Sequence, residues 1–196
     1  MEPGTGRLET FSDGVFAIAA TLLVLEFSVT SGRDLGHELL HLWPAYLAYV
    51  TSFVTIGIIW MNHHHTVSLI GRVDRTMLFV NNLLLLTVAF LPFPTGLVGT
   101  YLRRDGEQAA ALAYAGTLVV MAALHLVWWR YARVNRRLIA DGTSESALRA
   151  VDRAYLPGLP MYGAVFVLAF FSPLASVVLT LAIAAFYLPS AALFDR

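Results

Sequence analysis

The chain has 196 residues, of which 58% are hydrophobic and 13% are charged, and the charged share is about half that of an average soluble domain. This composition excludes an ordinary soluble domain and predicts an integral membrane protein. The formal net charge is zero, which gives no indication of a nucleic-acid partner. The sequence has no cysteine, so disulfides and thiolate metal sites are excluded as well.

Six apolar segments predict an all-α membrane protein with six transmembrane helices, forming a single domain over residues 1–196. A span needs about 20 residues, and backbone polar groups in lipid must bond within the segment, which makes the spans helical. The predicted spans are residues 11–29, 43–62, 77–97, 109–129, 155–171 and 174–193.

Three local signals predict how the later helices are connected. The fourth helix is expected to continue beyond the membrane as far as Gly142, a typical helix stop. A short surface helix over residues 143–156 is expected to begin with Thr143 or Ser144 as its cap. Ser172 and Pro173 mark a tight turn between the last two spans.

The distribution of arginine predicts the orientation. With the N-terminus inside, ten of the thirteen basic residues lie on the inner side, and the other three are Arg33, Arg103 and Arg104. Because cytoplasmic loops are enriched in basic residues, the sequence predicts a multi-pass protein of the cell membrane with both termini in the cytoplasm.

With this topology, polar residues of the first three helices share one layer near the inner face. The layer contains Asp13, Asn62, His63, His64, His65, Asn81 and Asn82. Polar groups within a membrane are costly and usually face protein partners, so a structural hydrogen-bonding layer is favoured. A proton relay or a ligand site is the alternative.

The three consecutive histidines do not by themselves predict a metal site. Successive helical residues point about 100° apart, so neighbouring histidines cannot chelate together as an i, i+4 pair would. A site would need ligands from other helices, with Asp13 as one candidate, and nothing in the sequence fixes its geometry. We therefore expect no structural metal and no cofactor.

The first helix has a stripe formed by Ile18, Thr21 and Leu25, whose spacings of three and four place them on one face. Gly14 extends this face inward, while Asp13 lies about 140° away from Ile18. Periodicity alone favours an ordinary packing face, with the threonine hydroxyl bonded to its own helix.

The stretch RLETFSDGVFAIAATLLVLE, residues 7–26, resembles the prokaryotic members of the transmembrane protein 175 family of potassium channels. The family signature is arginine, three residues, then Phe-Ser-Asp, and Arg7, Phe11, Ser12 and Asp13 match it. Two weaker similarities are WMNHH at the end of the second helix and LPFPTG at the end of the third. The resemblance is densest over residues 7–97.

The resemblance implies a homotetramer in which the first helix lines a central pore and conducts potassium passively with modest selectivity. By position, Ile18 is then the hydrophobic constriction, Thr21 a hydroxyl ring at which potassium passes, and Leu25 a second apolar ring. The implied partners are further copies of the chain, the lipid bilayer and the permeant potassium ion, and the protein is not an enzyme. The implied structural network consists of Arg7, Phe11, Ser12, Asp13, Asn62, His63, His64, Asn81 and Asn82.

Two questions stay open from the sequence. The alternative function is a proton- or cation-coupled secondary transporter that uses the layer of Asp13 and histidines. Glu26, near the outer end of the first helix, either concentrates cations at the pore mouth or is a surface carboxylate.

Overall fold

The computed structural model describes residues 5–28 and 35–191 of the chain, and every regular element in these ranges is helical. The predicted span ends at residues 29 and 193, together with Arg33, lie outside the described residues. Short 3₁₀ turns follow α1 at Leu23–Glu26 and α6 at Val134–Arg136. The helices are α1 (Thr5–Leu22), α2 (Leu35–His41), α3 (Trp43–Ser68), α4 (Arg75–Phe90), α5 (Pro92–Tyr101), α6 (Glu107–Arg133), α7 (Glu145–Tyr155), α8 (Gly158–Ala169) and α9 (Pro173–Ala191).

Four stretches within the described residues are long and apolar enough to cross a membrane, and they correspond to the first four predicted spans. They are Thr5–Glu26, Trp43–Ser68, Arg75–Tyr101 and Glu107–Arg133. Helices α8 and α9 occupy the positions of the predicted fifth and sixth spans. Since α8 has only 12 residues, against the roughly 20 that a full crossing needs, the total of six spans stays a prediction.

The third of these spans is broken where α4 meets α5. Proline lacks a backbone N–H and its ring clashes with the preceding turn, and α5 begins at Pro92. The N–H of Leu91 accordingly bonds to Val88 O (3.2 Å), three residues back, in a tighter turn. The predicted segment 77–97 therefore covers parts of two helices.

Two of the three local predictions for the later helices are confirmed. Ser144 caps α7, because its hydroxyl accepts the N–H of Ala147 at 3.2 Å. The turn between α8 and α9 forms at Ser172, whose N–H donates to Leu168 O at 2.9 Å.

The prediction that the fourth helix continues to Gly142 is wrong, since α6 ends at Arg133. Beyond this point the chain pairs with the loop between α3 and α4, where the N–H of Gly71 donates to Leu138 O and that of Ala140 to Leu69 O, both at 2.9 Å. Leu138 is buried beside this pairing, within an apolar cluster. Gly142 does adopt a left-handed φ of 84°, but it lies in the turn before α7.

Asp74 joins the start of α4 to the segment that follows α6. One carboxylate oxygen accepts the N–H of Met77 at 2.8 Å, and the other accepts the hydroxyl of Tyr131 at 2.8 Å and the guanidinium of Arg137 at 2.5 Å. Burial acts to raise the pKa of Asp74, but these hydrogen bonds and the arginine charge outweigh it, and the pKa lies below its ordinary value of 3.8.

Helix α6 lies at the centre of the packed helices and α1 lies at their edge. The central core includes Tyr114 and Met121 of α6, and a buried hydroxyl cluster joins three helices, since Ser52 contacts Thr95 at 2.8 Å and Tyr114 at 3.0 Å. Helix α1 packs against α3 and α4, so these two neighbours determine which of its faces is covered.

Candidate functional site

The first span, which consists of α1 and the 3₁₀ turn Leu23–Glu26, is divided lengthwise into a packed face and an uncovered face. The packed face consists of Leu8, Ser12, Phe16, Ala19 and Leu23, all buried. The uncovered face contains the predicted stripe: Ile18 is 60% exposed, Leu25 is 71% exposed, and Thr21 is exposed between them. The stripe is therefore not a packing face within the chain.

The uncovered face also carries a hydroxyl and an aromatic ring. The hydroxyl of Thr21 donates to Ile18 O at 2.9 Å, which leaves its oxygen lone pairs available as acceptors. Phe11, predicted to join the polar network, is 59% exposed. It precedes Ile18 by seven residues, or about 20° around the helix, and therefore lies on the same uncovered face.

Behind the packed face, three buried polar side chains join α1, α3 and α4, and we call Ser12, Asn81 and His63 the polar anchor. The amide of Asn81 donates to Ser12 Oγ at 3.1 Å, and its oxygen accepts from His63 Nε2 at 2.9 Å. Ser12 in turn donates to Leu8 O at 2.8 Å. Each helix contributes one member, so the anchor fixes how α1 is rotated against its neighbours.

The polar anchor is supported from the other side by aromatic rings. The imidazole of His63 stacks on Trp128 of α6, with ring centroids 5.0 Å apart and planes 28° apart. It also meets the ring of Phe16 on α1 at 5.5 Å and, edge-on, that of His125 on α6 at 6.3 Å. Trp128 is fully buried, so the histidine is held between α1 and the central helix.

A second polar cluster joins α1 and α3 nearer to the surface. The indole N–H of Trp60 donates to Asp13 Oδ1 at 2.8 Å, and His64 Nδ1 lies 3.0 Å from Glu9 Oε1. Glu9 and Trp60 were missed by the sequence reasoning. The sequence did contain a signal for these two residues. Glu9 precedes Asp13 by four residues and Trp60 precedes His64 by four, which places each pair on one helix face.

The other predicted network residues lie outside the polar anchor. Arg7 and Asn82 are exposed in the single chain. Asn62 is half-buried, and its backbone carbonyl accepts the hydroxyl of Tyr155 at 2.8 Å. Their part in a network stays a prediction.

Glu26 is turned toward α5. A methyl group placed on Gly96 would lie 1.9 Å from Glu26 Oε2, so the glycine leaves the space that the carboxylate occupies. The side chain is half-buried and also borders an open cleft with His37 and Arg104. Glu26 is therefore partly covered by α5 and still borders an open cleft.

The fold and its apolar spans define an all-helical membrane protein. A family model described as the endosomal/lysosomal potassium channel TMEM175 matches residues 7–92, a range that contains both the polar anchor and the stripe. The chain belongs to this family, as the sequence predicted.

Relatives and a solved structure support this assignment over nearly the whole chain. A potassium channel of Chamaesiphon minutus is 42% identical over 178 residues, which cover 88% of each chain. A potassium channel of Streptomyces collinus is 46% identical over 136 residues, covering 67% of this chain and 66% of the relative. The crystal structure of a lysosomal potassium-selective channel TMEM175 homologue from Chamaesiphon minutus superposes with a TM-score of 0.87 at 38% identity, covering 95% of this chain and 97% of that one.

Proposed function

We propose that the chain is one subunit of a homotetrameric potassium channel of the cell membrane, with α1 lining the pore and passive, modestly selective conduction. In this proposal α8 and α9 are the fifth and sixth spans, and both termini are cytoplasmic. The family membership supports the activity, because the bacterial relatives are named as potassium channels.

The uncovered face of α1 is the observation on which the pore assignment depends. Only 28% of the apolar stretch of the first span is buried, against 39%, 39% and 44% for the other three spans among the described residues. Lipid alone would cover Ile18 and Leu25 equally well, but Thr21 adds a hydroxyl on the same face. The lone pairs of this hydroxyl can accept a hydrogen bond from water or contact an ion, and a pore supplies both whereas hydrocarbon supplies neither.

The seam between α1 and α3 supports assembly around this helix. An apolar groove runs along the seam, and small residues line part of it, namely Ala17, Ala20 and Gly57. Small residues allow helices in a membrane to approach closely. A neighbouring subunit's first helix would fit here, beside the uncovered face.

The proposed conduction mechanism follows from the side chains on that face. Four copies of Ile18 around an axis form a narrow apolar neck, which excludes water and ions when it is closed. When it is wider, potassium passes more readily than sodium, because the larger ion sheds its hydration water at lower cost. Thr21 hydroxyls beside the neck then accept the ion or hold its remaining water.

The polar anchor has a positioning role in this mechanism. Ser12 precedes Ile18 by six residues, which is about 9 Å along the helix axis. By fixing the rotation of α1, the anchor determines that Ile18 points away from the subunit and toward the proposed axis. The anchor itself does not contact the ion.

The experiment is flux from liposomes that contain the purified protein, with Ile18→Asn compared against Leu86→Asn. Leu86 on α4 is 65% exposed, so the two variants introduce the same polar group at similarly uncovered positions. We expect wild type to pass potassium faster than sodium, Ile18→Asn to leak more or lose selectivity, and Leu86→Asn to match wild type.

Three results would contradict the proposal. If folded, oligomeric wild type passes neither ion, the channel activity is wrong. If wild type conducts but Ile18→Asn passes potassium and sodium at the same rates as wild type, the pore assignment is wrong. Potassium flux that requires a proton gradient would favour the coupled transporter instead.

A further inference from the structure

We propose that Glu9, Asp13 and His64 form a binding site for a divalent first-row transition-metal ion such as Zn²⁺, and that the ion ties α1 to α3. The site is distinct from the stripe and from the polar anchor. Binding at these side chains does not depend on the protein being a channel.

The three side chains converge from two helices. Glu9 and Asp13 lie one turn apart on α1, and His64 reaches them from α3, with its Nδ1 3.0 Å from Glu9 Oε1. One potential ligand atom from each residue lies within 4.8 Å of the other two. Metal bonds of about 2.0–2.2 Å place tetrahedral ligand atoms roughly 3.4 Å apart, so small side-chain rotations would close the set around an ion.

The charges of the cluster favour a cation. Two carboxylates meet one imidazole, so even a protonated His64 leaves one negative charge in excess among the three side chains. A structural ion pair between Glu9 and His64 accounts for one carboxylate and leaves Asp13 beside it. A divalent ion neutralises both carboxylates and uses the imidazole in its neutral form.

The ligand types indicate which metal would bind. Imidazole suits zinc, copper, iron and nickel, while calcium and magnesium prefer all-oxygen surroundings. The side chain of His64 is 51% exposed and that of Glu9 is 35% exposed. The other helices of the chain therefore do not enclose these two side chains, and further ligands such as water could complete the coordination of an ion.

Trp60 holds one ligand in place. Its indole N–H donates to Asp13 Oδ1 at 2.8 Å, which orients the carboxylate and leaves the second oxygen for an ion. Hydrogen bonds of this kind to the ligands are usual in metal sites and raise their affinity. The tryptophan lies one turn before His64 on α3, so the same helix face supplies a ligand and its support.

The rotation of α3 explains why one histidine of the three is available. His63 points inward and bonds Asn81 at 2.9 Å, so it belongs to the polar anchor. The next residue is turned by about 100°, which directs His64 toward Glu9. The sequence correctly indicates that neighbouring histidines do not chelate together, and the required partners come from α1.

A bound ion would stiffen the connection between α1 and α3. Asp13 precedes Ile18 by five residues, or about 7.5 Å along the axis. A metal bond across the two helices would restrict any movement of α1 that changes the width of the neck. This effect on flux rests on the proposed channel function, whereas binding itself does not.

The test is a titration of the purified full chain in detergent, without any histidine tag, using Co²⁺ followed by its visible absorption and Zn²⁺ by calorimetry. The variants are Glu9→Gln and His64→Gln, and the matched control is His65→Gln. We expect one ion per chain, no competition by Ca²⁺, and affinities at least about tenfold weaker in both variants. The control should bind as wild type does.

Thermal melting without metal shows whether each variant folds. If His64→Gln does not fold, Glu9→Gln still tests the site. The proposal is overturned if wild type binds no cobalt, or if Glu9→Gln binds as tightly as His65→Gln. Zinc added to the liposome flux assay should change wild-type flux and leave that of His64→Gln unaltered. Cobalt binding in a protein that passes no potassium would refute the channel and leave the metal site standing.

Discussion

Replacing Asn81 with leucine tests whether the polar anchor holds the first helix. Asn81 makes two side-chain hydrogen bonds, to Ser12 at 3.1 Å and to His63 at 2.9 Å, and it is buried with both partners. Leucine has a similar volume and neither hydrogen-bonding group. The substitution therefore removes the hydrogen bonds while leaving little empty space.

The expected cost follows from what each partner loses. His63 is left with a buried donor and no acceptor from α4, which costs about 1–3 kcal/mol. Ser12 keeps its bond to Leu8 O at 2.8 Å and loses one interhelical bond, which within membranes is worth about 0.6 kcal/mol. The sum is about 2–4 kcal/mol, and a chain of this size loses about 2–4 °C of melting temperature per kcal/mol. We expect a decrease of roughly 4–16 °C.

The assay is thermal unfolding in detergent followed by tryptophan emission, to which Trp128, stacked on His63 at 5.0 Å, contributes. The control is Asn82→Leu at the next position, which is exposed and should melt close to wild type. Equal losses in the two variants, or an Asn81→Leu protein as stable as wild type, would refute the argument that the buried hydrogen bonds hold α1 in place.

Two further predictions concern the contacts around the site. Because the pKa of Asp74 lies below its ordinary value of 3.8, its ionised form stabilises the fold above that pH and this contribution is lost as the pH falls through the lowered pKa. We therefore measure melting temperatures from about pH 6 to about pH 3, the range in which carboxylates titrate. They should fall less steeply with decreasing pH for Asp74→Asn than for wild type, and parallel curves would contradict this role. Gly99→Ala should destabilise by about 1–3 kcal/mol, because the new methyl would lie 3.1 Å from the Cα of Ala45. Gly163→Ala in α8, which meets nothing within 4 Å, should be neutral or stabilising in the same melts, and equal effects would show that α3 and α5 are not in close contact at Gly99.

Local features of the structure followed from the sequence because neighbouring residues determine them. Runs of apolar residues place the helices, Ser144 caps the helix that follows it, and Ser172 with Pro173 turns the chain. The prediction of a helix that continues to Gly142 failed because residues 138–140 pair with a distant loop. A helix signal cannot reveal a competitor that lies some 70 residues away in the chain, at Leu69 and Gly71.

The sequence by itself determined the class of protein, the family, and the alignment of Ile18, Thr21 and Leu25 along one face. Each of these follows from composition, from a contiguous motif or from the helical repeat. Only the tertiary structure decided which way that face points and which polar residues meet. His63 and His64 are adjacent in the chain, yet one bonds Asn81 and the other meets Glu9, because each residue turns the helix by about 100°. The partners of each histidine depend on the rotation and depth of α1, α3 and α4 against one another, which packing among all the helices determines.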